Sequence, residues 1–311
     1  MARRTGVQPV TRLCYALDVG GTKIAAALVA ENGDVVASTR RATEAPRGGA
    51  FVMEAMASAI DELSSHAAGL DVIGIGISAA GVIDPYSAVV LDATDAMPGW
   101  KGQNLGHYFG TRFHLPVAAA NDVHCALLGE LWRNPALADM GGSVAMLAIG
   151  TGLGGALASG GRLQVGHHGL AGHFGRTLVW DGLAGQLVTL DHLVSGTGLA
   201  RLYKLLAPSV LAADGAAVMA LAASGDSTAQ RALDAWLDHL ALLLHNLYWS
   251  LDPELLLIGG GVIDARATWW DPLIARLTAS GAPLRVAPAA LGSNAGVIGA
   301  ARLAWIASET E

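Results

Sequence analysis

The chain has 311 residues, of which 52% are hydrophobic and 14% charged, against about 25% charged in an average soluble domain. That composition excludes a largely disordered chain, which would lack the apolar residues for a core. The length exceeds what one core fills, since cores stop growing near roughly 250–300 residues, so two domains or two lobes around a cleft are expected.

Along the chain, Leu13–Val19 is an apolar run rich in strand formers that ends at Gly20-Gly21. Ile24–Ala30 is a second run, and Asn32-Gly33 is a hairpin signal before a third at Val35–Arg41. Together they predict an antiparallel meander. Phe51–Ala68 has helical spacing, with Met53, Met56, Ile60 and Leu63 on one side. Val72–Ser78 reads as a strand, Leu105–Phe113 as a helix and Leu115–Ala120 as a short strand. Asp122–Trp132 reads as a helix capped by Asn121 or Asp122. The strand pattern restarts at Ser143–Ile149, with Leu153–Ala158 as its hairpin partner and a turn at Gly160-Gly161. Beyond Leu190 the pattern is mostly helical, with a long apolar helix over Ser227–Leu251 and a connecting loop over Ala207–Gly225. A buried strand at Leu255–Ile258 and a final helix at Ala295–Ile306 complete the reading. The order strand–strand–strand–helix–strand occurs twice, which predicts two related α/β lobes rather than one doubly wound sheet.

A mean hydropathy of +0.44 raises the question of a membrane span. The longest uncharged stretch, Gly141 to Gly161, is broken by eight glycines and reads as strand–turn–strand, so no membrane segment is expected. Arg3 and Arg4 lack the following apolar run of a signal peptide. Cys14 and Cys125 cannot build a disulfide framework, which fits a reduced, cytoplasmic compartment. The net charge of −7 gives no overall basic field for nucleic acid.

Four constellations carry chemistry. Asp18-Val-Gly-Gly-Thr-Lys23 lies in a turn between strands. There glycines let amides curl around an anion, Thr22 adds a hydroxyl, Lys23 a cation and Asp18 a hold on a metal ion or its waters. An ordinary tight hairpin would carry the same glycines. Gly150-Thr-Gly-Leu-Gly-Gly155 repeats the arrangement, and two such hairpins favour a phosphate clamp over structure alone. The second is neither a Rossmann nor a Walker loop, since a strand rather than a helix follows its glycines and no Gly-Lys-Ser/Thr closes it. Ile258-Gly-Gly-Gly261 ends a strand, permitting either a flat ligand or a sharp turn. Asn121-Asp122 stands at a strand-to-helix junction, as an N-cap or as a general base for a substrate hydroxyl.

The motif order DVGGTK, PxxxxND, GTGLGG, GLAGHFG, SGTGL and DPELLLIGGG, over about residues 13–306, resembles the ROK family of sugar kinases and related repressors. The resemblance implies an actin-like ATPase (ribonuclease H-like) α/β fold with two lobes and a central cleft. The lobes are expected at 1–121 plus 295–311 and at 122–294. It implies that Asp18, Gly20, Gly21, Thr22 and Lys23 form one ATP-phosphate and Mg²⁺ loop, and that Gly150, Thr151, Gly152, Gly154 and Gly155 form the other. Gly259, Gly260 and Gly261 would lie on the adenosine side, Asp122 would be the base, and Asn121, Gly81 and Asp95 would face the sugar. His173 and Asp191 stand where most members carry sugar-binding Glu.

The departures lie beside His173. The family's zinc loop of cysteines is missing, Arg176 replaces its zinc-binding His, and Arg offers a metal no lone pair, so no structural zinc is expected. An Arg176–Asp191 ion pair or an exposed Arg176 would take its place. His173 in GLAGHFG resembles the N-acetylmannosamine kinases of the family. The resemblance therefore implies a cytoplasmic, homodimeric kinase using ATP and Mg²⁺ on a hexose or N-acetylhexosamine, with N-acetylmannosamine first. Glucokinase, N-acetylglucosamine kinase or a catalytically impaired sugar-binding homologue are the alternatives, and polyphosphate is the alternative donor. A repressor would need a helix-turn-helix ahead of Asp18, for which 17 residues are too few. Neither nucleic acid nor membrane is expected as a partner.

Overall fold

The computed structural model describes residues 12–138, 140–182, 184–208 and 214–309. Arg3 and Arg4 lie outside them. The chain divides into two compact units: residues up to Ala138 with His167–Gly169 and the segment from Asn294, and the remainder.

In the first unit, β1 (Arg12–Val19), β2 (Lys23–Ala30) and β3 (Val35–Ala42) form the expected meander, and β4 (Asp71–Ala79) and β7 (Val117–Asn121) extend it. The sheet order is β3-β2-β1-β4-β7, antiparallel through the meander and parallel from β1 to β4 and from β4 to β7. A two-stranded ribbon of β5 (Val82–Ile83) and β6 (Val90–Asp92) follows β4. Strand β1 is covered on both faces, which is why Leu13–Leu17 reads as an unbroken apolar run. Leu13, Leu17 and Val19 join a core with Met56 and Ile60 of α1 (Gly49–Ser64). On the opposite face the Cys14 thiol points at the carbonyl of Ala301 in α9 (Ala295–Ser308). Helix α2 (Leu105–Phe113) buries Leu105 and Phe109 in the same core as α1.

The first helix after β7, α3 (Asp122–Arg133), packs on α9 through glycines. A Cβ on Gly299 would overlap the Cys125 carbonyl, and one on Gly129 would reach 2.5 Å from the Ala295 carbonyl oxygen. The lobe boundary expected between residues 121 and 122 therefore shifts. Helix α3 stays with the first unit, which runs to Ala138, because its glycine face is fitted to α9.

The second unit repeats the layout. Strands β8 (Ser143–Ile149), β9 (Leu153–Ser159), β10 (Arg162–Leu163), β13 (Leu255–Gly259) and β14 (Val286–Pro288) order as β10-β9-β8-β13-β14. Again three antiparallel strands are followed by two parallel ones. Helices α4 (Asp191–Val194), α5 (Gly196–Leu206), α6 (Gly215–Ala223), α7 (Ser227–Leu251) and α8 (Arg266–Ala279) complete it. Trp236 of α7 and Trp269 of α8 are fully buried and meet edge to face at 5.9 Å, a core contact. The expected loop over Ala207–Gly225 is in part helix α6. Asp214 caps it by accepting from the Ala217 amide at 2.8 Å, a signal that the Ala-rich composition hid. The rest of that loop includes residues 209–213, outside the described set.

Where the family pattern places cysteines, the chain forms a hairpin of β11 (Leu178–Asp181) and β12 (Gln186–Thr189). Its end is anchored by buried Asp181, which accepts from Arg201 at 2.8 Å and from the Ala184 amide at 3.1 Å. Leu178, Trp180 and Leu187 are exposed on the hairpin.

Candidate functional site

In the first unit the site residues gather at the carboxyl ends of parallel strands, where open α/β sheets bind ligands. The register sets Asp18 of β1 beside Ser78 of β4, and Ala79 beside Asn121 of β7. Asn121 caps α3: its Oδ1 accepts from the Val123 amide at 2.9 Å and the His124 amide at 3.4 Å. Its Nδ2 donates to the Gly81 carbonyl at 2.9 Å, so one side chain serves both cap and neighbouring turn. Gly81 has φ +105° and leaves no room for a Cβ against the Asp92 carbonyl. Trp100, fully buried, donates to the Ala80 carbonyl at 3.0 Å and pins the Met97–Trp100 loop beside that turn. Asp95 stands exposed on the turn before it.

Here one carboxylate, Asp122, lies in the field of another, Asp18. Asp122, first residue of α3, has its pKa raised from 3.8 to about 6, by removal from water and then by the charge of Asp18. Asp18 is also pushed upward by burial, against the lowering effect of the Ser78 hydroxyl, which donates to it at 2.6 Å, and of Lys23. Gly296 of α9 lies against the Asp18 carboxyl, and a Cβ there would fall 2.5 Å from its Oδ1.

The first glycine turn is held from behind. Buried Thr43 donates its hydroxyl to the Gly20 carbonyl at 2.6 Å, and its amide to the Thr22 carbonyl at 3.1 Å. Because C=O and N–H of a trans peptide point in opposite directions, the Gly21 and Lys23 amides point away from Thr43. Gly21, Thr22 and Lys23 are exposed. Neither Thr43 nor Ser78 was singled out from the sequence.

In the second unit the turn proper is Gly150–Gly152, closed by the Gly150 amide donating to the Gly152 carbonyl at 2.9 Å. The Gly150 carbonyl accepts from the Gly196 amide at 2.8 Å, and the Thr151 carbonyl accepts from the Thr197 hydroxyl at 2.8 Å. The same peptide geometry turns the Thr151 and Gly152 amides away from α5, an anion-binding disposition. Gly260, at φ +84°, approaches Ile149 so closely that a Cβ would overlap its carbonyl, which sets the Gly259–Gly261 turn beside this loop. Gly154 and Gly155 lie in β9, paired with Ala148 and Leu147. A Cβ on Gly155 would overlap the Gly172 carbonyl and the Phe174 ring, so its smallness seats the His173 turn.

His173 is half-buried, and desolvation followed by the Arg176 charge lowers its pKa, which keeps the ring neutral at pH 7. Arg176 is exposed. Asp191 is engaged by the backbone: its Oδ1 accepts from the Leu153 amide at 2.5 Å, an anchor that residue order did not announce. No group of three or more His, Cys, Asp or Glu placed to hold a metal occurs among the described residues, and none of their helices is long and apolar enough to cross a membrane.

The ROK family model matches residues 14–306. The chain belongs to the ROK family. A glucokinase of Halalkalibacterium halodurans is 32% identical over 95% of the chain and 94% of its own length. An N-acetylmannosamine kinase of Shigella boydii is 28% identical over 79% and 82%. Among solved structures, a ROK glucokinase of Streptomyces griseus in complex with glucose and AMPPNP is 29% identical, covering 94% of this chain and 99% of its own, with a TM-score of 0.76. The fold is therefore the actin-like ATPase fold expected from the motifs, and this ROK protein is a sugar kinase.

Proposed function

We propose that this ROK kinase transfers the γ-phosphoryl group of ATP to the primary hydroxyl of a hexose or N-acetylhexosamine, with N-acetylmannosamine the first candidate. The observation that carries the reading is Asp122, a carboxylate whose pKa of about 6 is set by burial and by Asp18. At neutral pH it is ionised yet basic enough to take the proton of a hydroxyl as the bond to phosphorus forms. Phosphoryl transfer asks for positioning and charge stabilisation more than for covalent chemistry. The amides of Gly21 and Lys23, the Thr22 hydroxyl and the Lys23 ammonium would supply these, as would the Thr151 and Gly152 amides. Gly259–Gly261 would take the adenosine side.

Asp18 fits a divalent cation, because a buried carboxylate raised by burial and sharing its field with Asp122 gains from a positive neighbour. Bound there, Mg²⁺ would neutralise phosphate charge. Asn121, Gly81, Asp95 and His173 would address the sugar. A neutral imidazole both donates and accepts, where the family's usual carboxylate only accepts, and this supports an N-acetylated sugar. Similarity to glucokinases over nearly the whole chain favours glucose as the second reading. The exposed Leu178, Trp180 and Leu187 support a homodimer, and two buried free thiols support a cytoplasmic setting.

The test is a coupled ATP-to-ADP assay with Mg²⁺ over N-acetylmannosamine, N-acetylglucosamine, glucose, mannose, fructose and allose. Turnover at least tenfold faster on N-acetylmannosamine supports the reading, and preference for glucose selects the second. Silence of folded protein across the panel refutes both.

A further inference from the structure

Asp191 occupies a position from which the motif pattern expects a sugar contact, yet its carboxylate is turned onto the chain itself. Its Oδ1 accepts from the Leu153 amide at 2.5 Å, at the point where the Gly150–Gly152 turn re-enters strand β9. The same oxygen stands 3.0 Å from where a Cβ of Gly152 would be, so the carboxylate fills the space behind the turn. Asp191 opens the short helix α4, and α5 follows at Gly196, whose amide and whose neighbour Thr197 take the Gly150 and Thr151 carbonyls. Three backbone positions of the turn and its exit are thus gripped by one segment, residues 191–197. The charged grip is the strongest of the three, since hydrogen bonds to an ionised acceptor are about twice as strong as neutral ones.

We infer that Asp191 is a positioning residue for nucleotide phosphate rather than a sugar ligand: it fixes the Leu153 amide so that the Thr151 and Gly152 amides stay aimed at the phosphates. This rests on the reading of Gly150–Gly152 as a phosphate turn. Asp191→Glu adds a methylene where the Oδ1 already lies 3.0 Å from a Cβ position of Gly152.

The experiment compares wild type with Asp191→Ala, Asp191→Glu and Asp191→Asn. Binding of Mg·AMPPNP is measured by calorimetry without sugar. KM for N-acetylmannosamine or glucose, whichever wild type phosphorylates, is measured at saturating ATP. Hydrogen exchange of the 150–155 amides is followed in unliganded protein. Expected are nucleotide affinity about tenfold or more weaker in Asp191→Ala and Asp191→Glu, sugar KM within about twofold, and faster exchange at Leu153. Asp191→Asn keeps an acceptor oxygen and should recover most of the loss. A sugar KM raised tenfold in Asp191→Ala with nucleotide affinity intact, or Leu153 exchanging as in wild type, would overturn the inference. If exchange quickens in Asp191→Ala while wild type itself binds no Mg·AMPPNP, the grip stands but the phosphate reading falls, and the nucleotide role of Asp191 with it.

Discussion

Replacing Asp122 with asparagine should slow catalysis steeply and stabilise the protein, and the two effects have one cause. The folded pKa lies about two units above 3.8, because the carboxylate is withdrawn from water and shares its surroundings with Asp18. A group whose folded pKa is raised weakens the folded state wherever it is ionised. Below about pH 4 the side chain is protonated in both states and the penalty vanishes. Between about pH 4 and 6 the penalty grows, and above 6 it is constant at about 3 kcal/mol, two units at ~1.36 kcal/mol each. The substituted amide carries no charge, and its oxygen can still accept from the Val123 amide as Asp122 does at 2.9 Å. At pH 8 the variant should gain about 2–3 kcal/mol, a rise in Tm of about 3–5 °C at ~2.1 cal/mol/K per residue, while at pH 4 the two melting curves should nearly coincide. Turnover should fall by about 10²–10⁴. Calorimetric melting from pH 4 to 8, beside the coupled kinase assay, reads both. A variant no more stable at pH 8 than wild type would show that Asp122 is not held in an unfavourable field, and the argument for its basicity would go with it.

Four further outcomes follow from the same geometry. The pH profile of kcat/KM should rise through about pH 6 and flatten above it, since the free enzyme's base must be ionised; a profile flat from pH 5 to 8 would exclude Asp122 as that base. Thr43→Val should remove the hydroxyl that holds the Gly20 carbonyl, destabilise the first unit by about 1–3 kcal/mol and raise KM for ATP while leaving the sugar KM unchanged in steady-state kinetics. Gly299→Ala should press a methyl group into the Cys125 carbonyl, lowering stability by about 1–3 kcal/mol or more and also lowering kcat, because α3 carries Asp122 at its start; unfolding in urea and single-turnover rates separate the two. Asp181→Asn should lose about 3–5 kcal/mol by leaving Arg201 without its charge partner, whereas Asp181→Asn combined with Arg201→Met should lose less, as denaturation of the single and double variants would register.

Much of this was legible from residue order. The meander at Leu13–Arg41, the cap at Asn121, the hairpin at Ser143–Ala158 and the helix over Ser227–Leu251 announce themselves through local chemistry: apolar runs, turn dipeptides and a capping amide next to the helix it starts. Residues acting over long sequence distance gave no such sign. Thr43 reaches Gly20 across 23 positions and Ser78 reaches Asp18 across 60, and nothing adjacent to either marks it. Glycines were ambiguous for another reason. Gly152 and Gly155 belong to one motif, yet the first lies in the turn and the second accommodates the Gly172–Phe174 backbone and ring, a distinction made only by what comes near each. Helix α6 escaped because an Ala-Gly-Ser composition is shared by loops and by small-residue helices. Only its cap, Asp214, tells them apart.

The two glycine turns show why such long-range residues are needed. A glycine turn that binds phosphate must present amides in a fixed direction, and glycine is the residue least able to hold one. In both units the solution is to fasten the carbonyls from behind. Thr43 takes those of Gly20 and Thr22, and Gly196 and Thr197 take those of Gly150 and Thr151. Peptide planarity then converts a fixed carbonyl into an aimed amide on the other side. The arrangement separates two demands that one residue could not meet. The residue facing the ligand stays small enough for close approach, and the residue fixing its direction sits elsewhere in the sequence, where its side chain is free to be polar. On the proposed phosphate reading, the residues that fasten each turn matter to the site alongside the glycines themselves. On that reading, removing the side chain of Thr43, Asp191 or Thr197 should weaken nucleotide binding.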